Sequence, residues 1–186
     1  MERKPVRLET ARLWIRRFAE ADRAAFAALV RDKMTAPDAI YDDQFPTDDG
    51  GVSALFAYIL QTDAFFAVEE KKTGLLAGYV TLNPVDGESA NLGYCILRAR
   101  RGQGYATEAA AAAVRYAAEV LGLGRLVAGT ALENTPSVRI LQRLHFAETG
   151  RSVGSFARDQ AGAPITFTGC AYELRFDGPA DGLAKR

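Results

Sequence analysis

Residues 93–109 read GYCILRARRGQGYATEA, and the fold turns on them. Tyr94, Cys95, Ile96 and Leu97 form the apolar end of a strand, Gly102 and Gly104 mark a turn, and an Ala-rich helix follows from Tyr105 to about Leu121. The first N–H groups of a helix have no intrahelical acceptor and sit at the positive end of its dipole. A turn in this position can therefore hold an anion through the backbone alone. Gly102 and Gly104 lack the Cβ atoms that would keep phosphate oxygens away, Thr107 adds a hydroxyl, and Arg101 adds a charge. Two other phosphate motifs fail on the letters: Thr107 stands where a third Gly or Ala is needed, and no Gly-Lys-Ser/Thr occurs. A bare Gly-x-Gly also reads as an ordinary turn.

Outward from this point the chain alternates strands and helices. Upstream, residues 12–18 alternate as a strand, 20–30 form a helix, and 34–47, with Pro37 and Pro46, form a loop or broken helix. Asp48 or Asp49 caps a second helix to about Leu60. Residues 65–69 and 75–82 make a hairpin around Gly74, and 91–97 is the strand that enters the turn. Downstream, 125–132 is a strand and 135–144 a short helix, with Thr135 as cap and Pro136 at its first position. A long hairpin then pairs 146–158 with 165–176. Helices lie between strands yet several strand pairs are hairpins, so the fold is α/β of the mixed α+β kind, with a mixed sheet. Within the long helix Ala106, Ala109, Ala110, Ala113, Val114, Ala117 and Leu121 share the inward stripe, while Ala112 falls with Glu108, Arg115 and Glu119 on the outer one.

Composition narrows the function. The 186 residues carry 23 Lys plus Arg against 23 Asp plus Glu, a poor balance for nonspecific nucleic-acid binding. No apolar run reaches the roughly 18–20 residues of a membrane-spanning helix. The start MERKPVRLET lacks the apolar core of a signal peptide. Cys95, Cys170 and the single His145 cannot build a four-ligand zinc site or a multi-histidine centre, so no metal is expected. The expectation is a soluble, cytoplasmic, single-domain protein. Charge is nevertheless uneven. Residues 34–70 contain eight acids (Asp38, Asp42, Asp43, Asp48, Asp49, Asp63, Glu69, Glu70) and no Lys or Arg, whereas nine Arg lie between 95 and 158. Two solvated faces of opposite sign would give this pattern. So would a site between a surface that draws in a cation and one that holds an anion.

Arg101–Ala106 fits an R/Q-x-x-G-x-G/A pattern, and residues 133–139 (ENTPSVR) fit E-N-x-x-S-x-R. With the opening TARLWIRRF, these stretches resemble the GNAT superfamily of N-acetyltransferases, in its branch of RimJ/RimL-like, ribosomal-protein N-terminal acetyltransferases. The resemblance covers roughly residues 10–174. It implies one GNAT domain over 1–176, a flexible tail at 177–186, and a twisted, mostly antiparallel sheet of about seven strands with helices on both faces. It also implies a splayed parallel pair, here 91–97 and 125–131, with the acetyl-pantetheine arm of acetyl-coenzyme A in the gap. Backbone groups near Ile96 and Leu97 would pair with pantetheine, and an N–H there would steady the oxyanion. Arg101, Gly102, Gln103, Gly104, Tyr105, Ala106 and Thr107 would hold the pyrophosphate. Arg139 or Arg143 would meet the 3′-phosphate, and Asn134 would contact the arm.

Ser137 matches a hydroxyl that returns a proton to the departing thiolate, although the same letters read as a helix start. An alkylamine acceptor is mostly protonated at neutral pH and must lose a proton. The branch often carries Glu just before Gly-Tyr of the fourth strand; Asn91 stands there instead. Glu88 in the preceding loop is the substitute base, and a water relay is the alternative. Tyr94 is a further polar group, or a packed ring. His145 replaces the usual Gly before Phe146 and is expected to cap the helix in a left-handed conformation. Cys95 has no base beside it and is read as strand filling, so transfer is direct.

The function implied is acetyl transfer to a primary amine, a protein N-terminus or a small cationic molecule, since the acidic stretch favours a cation. The alternative is a non-catalytic acyl-coenzyme A binding or sensing module, which the Asn91 substitution favours. A homodimer is left open.

Overall fold

Leu13, Ile15, Phe66 and Val68 recur at every second position and all reach one sheet face, where they are 0–3% exposed. Phe18, Ala67 and Tyr79 serve the opposite face. The computed structural model describes residues 6–176, so the tail expected at 177–186 lies outside the described residues. The strands are β1 (Arg7–Glu9), β2 (Leu13–Arg17), β3 (Phe65–Glu70), β4 (Leu76–Asp86), β5 (Ser89–Ile96), β6 (Arg125–Ala131), β7 (Ala147–Arg158) and β8 (Pro164–Arg175). The helices are α1 (Arg23–Met34), α2 (Asp49–Gln61), α3 (Tyr105–Glu119) and α4 (Thr135–Arg143). A 3-10 turn, Pro37–Tyr41, crosses between α1 and α2.

One sheet of order β1-β2-β3-β4-β5-β6-β8-β7 carries the fold, with β5–β6 its parallel pair. It has eight strands, not about seven. The extra one is β1, three residues whose Arg7, Leu8 and Glu9 pair with Arg16, Ile15 and Trp14. So short a strand leaves no alternation to read. Helices α1 and α2 cover one face through Phe26, Leu29, Val30, Phe56 and Ile59, and α3 and α4 cover the other.

Local signals set the boundaries. Asp48 caps α2, accepting a hydrogen bond from the Gly51 N–H at 2.8 Å. In α3, Ala109, Ala110, Ala113 and Ala117 are 0–1% exposed, and their small size brings the helix axis close to the sheet. Ala112, expected outside, is also buried, because α4 flanks α3 in addition to the sheet. Leu121, expected inside, lies past the helix end and is exposed. The cap of α4 is Asn134 and not Thr135: its side-chain oxygen accepts from the Ser137 N–H at 3.4 Å, which makes Thr135 the first helical residue.

His145 ends α4 with φ +64, in the left-handed region as expected, and its side chain is exposed. That conformation disfavours a residue with a Cβ, and no packing is lost if the side chain is removed. Replacing His145 by Gly should raise stability by about 0.5–1 kcal/mol. Thermal or urea unfolding checks this; an unchanged or lowered midpoint contradicts it.

Candidate active site

Strand β5 pairs with β6 only at Ser89–Arg125, Ala90–Leu126 and Asn91–Val127. Beyond that point β5 stays on β4 as far as Gly78–Ile96, and β6 stays on β8 as far as Ala131–Gly169. The inner edges of the two strands therefore separate. Tyr94 lies in the wedge, and its hydroxyl donates to the Ser137 carbonyl on α4 at 3.3 Å. The Leu97 N–H is bonded to Ala77 O at 2.9 Å and so points to β4. Backbone direction alternates along a strand, so the groups of Tyr94 and Ile96 face the gap. Ile96 O accepts from the Arg101 Nε on that side at 3.2 Å.

The glycine turn lies at the end of the gap. Gly102 and Gly104 have φ +75 and +81, and Gly104 is the N-cap of α3. The first helical bond runs from Glu108 N–H to Gly104 O at 3.0 Å, which leaves the N–H groups of Tyr105, Ala106 and Thr107 without an intrahelical acceptor. Arg12 fixes the turn. It donates to Gln103 O at 2.7 Å and binds Glu108 through its Nε at 2.7 Å, while Thr10 donates to Glu108 at 2.6 Å. Burial opposes the charge on Glu108, but these partners outweigh it and hold the carboxyl below its usual range. Below the turn, buried Glu70 receives the Tyr105 hydroxyl at 2.5 Å and pairs with Arg100 at 3.1 Å.

A cavity of about 570 Å³ opens on this turn. Gly102, Gly104, Tyr105, Ala106 and Thr107 form one wall, and Pro136, Arg139, Ile140 and Arg143, at helical spacing, present one face of α4 as the other. Tyr94, Ile96, Asn134 and Ser137 also line it. Arg101 reaches it, but its guanidinium binds both oxygens of Asp38, at 2.9 and 3.1 Å. Among the described residues Arg139 and Arg143 have no carboxylate partner, and both face this space. A second chamber, of about 510 Å³, lies across the gap and shares Lys33, Asp42 and Tyr94 with the first. Together they give a cavity lined by Arg139, Arg143 and free helix N–H groups, joined by an open strand edge to a second chamber.

Residues 12–147 match the family model described as an acetyltransferase (GNAT) domain. The chain belongs to the GNAT acetyltransferase family. Members take the acetyl group from acetyl-coenzyme A. An uncharacterised N-acetyltransferase, p20, of Bacillus licheniformis is 34% identical over 87 residues, which is 46% of this chain and 49% of that protein. The match thus spans about half of that relative's length. Among solved structures, the spermidine N-acetyltransferase of Vibrio cholerae, with CoA and spermine, superposes at TM-score 0.73 with 20% identity, over 89% of this chain and 96% of that one. The ribosomal-protein-S5-alanine acetyltransferase of Vibrio fischeri gives 0.71 and 16%, over 91% and 96%. At such identities these two show the GNAT fold alone.

Against the GNAT expectations, three residues fall outside the first cavity. Leu97 spends its N–H on β4 and packs its side chain with the α1–α2 core, so Ile96 is the residue of that pair on the gap. Gln103 turns away, with its carbonyl held by Arg12. Glu88 sits in the tight turn between β4 and β5, where its carbonyl accepts the Gly124 N–H at 2.9 Å. Ile96 is eight residues further along β5, about 26 Å away at ~3.3 Å per residue. Proximity in sequence to Asn91 had made Glu88 a candidate base; the strand carries it to the far end of β5. Asn91 itself lines the second chamber.

Burial pushes the Tyr94 hydroxyl up to about 12 and the Cys95 thiol up to about 12. At neutral pH Tyr94 is therefore a neutral O–H donor and Cys95 a thiol, not a thiolate nucleophile. Cys170 is buried in the core. Iodoacetamide at pH 8 should label Cys95 at least about tenfold more slowly than a free thiol with its usual pKa of about 8.5. Labelling at the free-thiol rate, read by mass spectrometry, would contradict this.

Proposed function

We propose that this chain transfers acetyl from acetyl-coenzyme A directly to a primary amine. The reading rests on one observation: where β5 and β6 separate, the gap joins the cation-lined cavity at the start of α3 to a second chamber at Tyr94. The N–H groups of Tyr105, Ala106 and Thr107, with Gly102 and Gly104, take the pyrophosphate. Arg139 and Arg143 are the unpaired cations for the remaining phosphate. The open edge at Tyr94 and Ile96 pairs with the pantetheine amides as a strand would, and Asn134, its oxygen engaged in capping, has its NH₂ left to donate. Arg101 reaches a phosphate only by exchanging Asp38 for it.

In the reaction the amine nitrogen bonds to the thioester carbonyl carbon, and the C–S bond breaks from the tetrahedral intermediate. An N–H on the open edge of β5 steadies the oxyanion. The thiolate takes a proton from Ser137 or from the neutral Tyr94, both of which line the cofactor cavity, and that donor is reprotonated by the second proton the nitrogen sheds as the amide forms. A net proton leaves from the incoming ammonium. With Glu88 remote and Asn91 unable to accept a proton, water carries it away. The second chamber also argues against a purely cofactor-binding role, which would not need it. The acceptor is a protein N-terminus or a small cationic amine.

Free-thiol release with a panel of amines tests the reading; no release with any of them overturns it. Ser137→Ala and Tyr94→Phe should each be assayed. The proton donor's loss should lower kcat by about 10²-fold, with KM for acetyl-coenzyme A little changed. Unchanged turnover across pH removes that residue from the mechanism. With no dedicated base, log kcat/KM should climb with a slope near one toward the amine's own pKa, about 10 for an alkylamine. Glu88→Ala should leave this profile unchanged. A plateau near neutral pH would reveal a base.

A further inference from the structure

The eight acids of residues 34–70 give the second chamber far less negative charge than their number implies. Asp38 pairs with Arg101, Asp42 with Lys33, Asp49 with Arg31, Asp63 with Arg17, Glu69 with Arg16 and Glu70 with Arg100. Asp48 caps α2. Asp43 remains, and among the described residues its carboxylate has no cation partner. The charged residues lining the chamber are Lys33, Asp42 and Asp43. Lys33 and Asp42 cancel at 3.0 Å, so the chamber carries one net negative charge.

Its walls are aromatic. On one side Tyr79 meets Phe45 at 6.2 Å, stacked, and Phe65 at 5.7 Å. On the other, Phe167 stacks on Phe156 at 5.5 Å and receives Tyr41 edge-on at 5.7 Å. Gly154 makes room for this second wall: a Cβ there would come within 2.7 Å of the Phe167 ring. The Tyr41–Phe167 contact ties the turn between α1 and α2 to the β7–β8 hairpin across the chamber. A space tied in this way favours a small molecule over an extended polypeptide. A volume of about 510 Å³ suits such a molecule.

We infer that the acceptor is a small primary amine with a single positive charge on an aromatic or similarly flat apolar body, an arylalkylamine in chemical class. This rests on the amine-acetylation reading above. Asp43 draws in the ammonium, the rings hold the body, and the nitrogen is directed to Tyr94, where the two cavities meet. A polyamine would bring two or three further cations to one unpaired carboxylate, beside Lys33. Charge count rejects it, and the rings select what remains.

The test measures kcat/KM of the full chain, at saturating acetyl-coenzyme A, for 2-phenylethylamine, tryptamine, butylamine, spermidine and a peptide with a free N-terminal alanine. The arylalkylamines should exceed spermidine and the peptide by at least about tenfold. Phe156→Ala removes a ring that is 45% exposed, so the fold is preserved. It should raise KM for 2-phenylethylamine about tenfold, and by clearly more than it raises KM for butylamine. Phe167→Leu, which keeps apolar bulk, should act in the same direction. Preference for spermidine or the peptide, or equal loss for ringed and ringless amines, overturns this inference and leaves amine acetylation standing. No turnover with any amine overturns both.

Discussion

Every functional feature of this chain depends on β5 and β6 exchanging hydrogen bonds for three residues and then no further. Each strand keeps its outer ladder, β5 with β4 and β6 with β8, so the sheet survives the separation. What is given up is pairing along two inner edges, and a buried backbone group without a partner costs about 1–3 kcal/mol. A ligand carrying amides in line would restore those bonds, which a closed sheet would not allow. The helix that follows β5 starts at the end of the same gap. On the acetyl-transfer reading proposed above, a single chain reversal thus supplies strand-like pairing for the arm and unsatisfied N–H groups for the phosphates.

The two halves of opposite charge fold against each other. Asp38 on the turn between α1 and α2 meets Arg101 on the glycine turn, Asp32 on α1 meets Arg98, and Glu70 at the end of β3 meets Arg100. Most of the apparent acidic surface is thereby consumed by internal pairing. The positive charge left on the cavity belongs to Arg139 and Arg143, which α4 presents one turn apart. Exposed pairs of this sort add little stability individually. Their effect is on which charges remain for a ligand.

Much of this was legible in the sequence, because the signals were local. Alternation at Leu13–Ile15, the Asp48 cap, the left-handed glycines of the turn before α3 and the left-handed His145 each follow from a few neighbouring residues. The misses share another cause. Choosing Ile96 over Leu97 requires knowing which residues donate to β4, a parity set by a partner strand and not by the local pattern. Glu88 looked close to the site because it is three residues from Asn91, yet a strand turns sequence proximity into distance. The cap assigned to Thr135 was wrong by one residue, since Thr135-Pro136 satisfies the same rule as Asn134. Pairing across a long sequence separation, as in Asp38–Arg101, leaves no local trace, and so the acidic stretch overstated the charge of the acceptor space.

Lys33 shows how packing and charge selection become one problem. It is 4% exposed, donates to Asp43 O at 2.9 Å, pairs with Asp42 at 3.0 Å and lies 4.2 Å from the Phe45 ring centre. An ammonium buried without such partners would cost several kcal/mol. The segment from Asp42 to Phe45 is therefore held against α1 by what Lys33 requires, and that segment is a wall of the second chamber, with Asp42 lining both cavities. Meeting the requirement also neutralises Asp42 and brings Phe45 against Tyr79. The interaction that positions the wall thus determines both the single charge and one of the two aromatic faces presented to the acceptor.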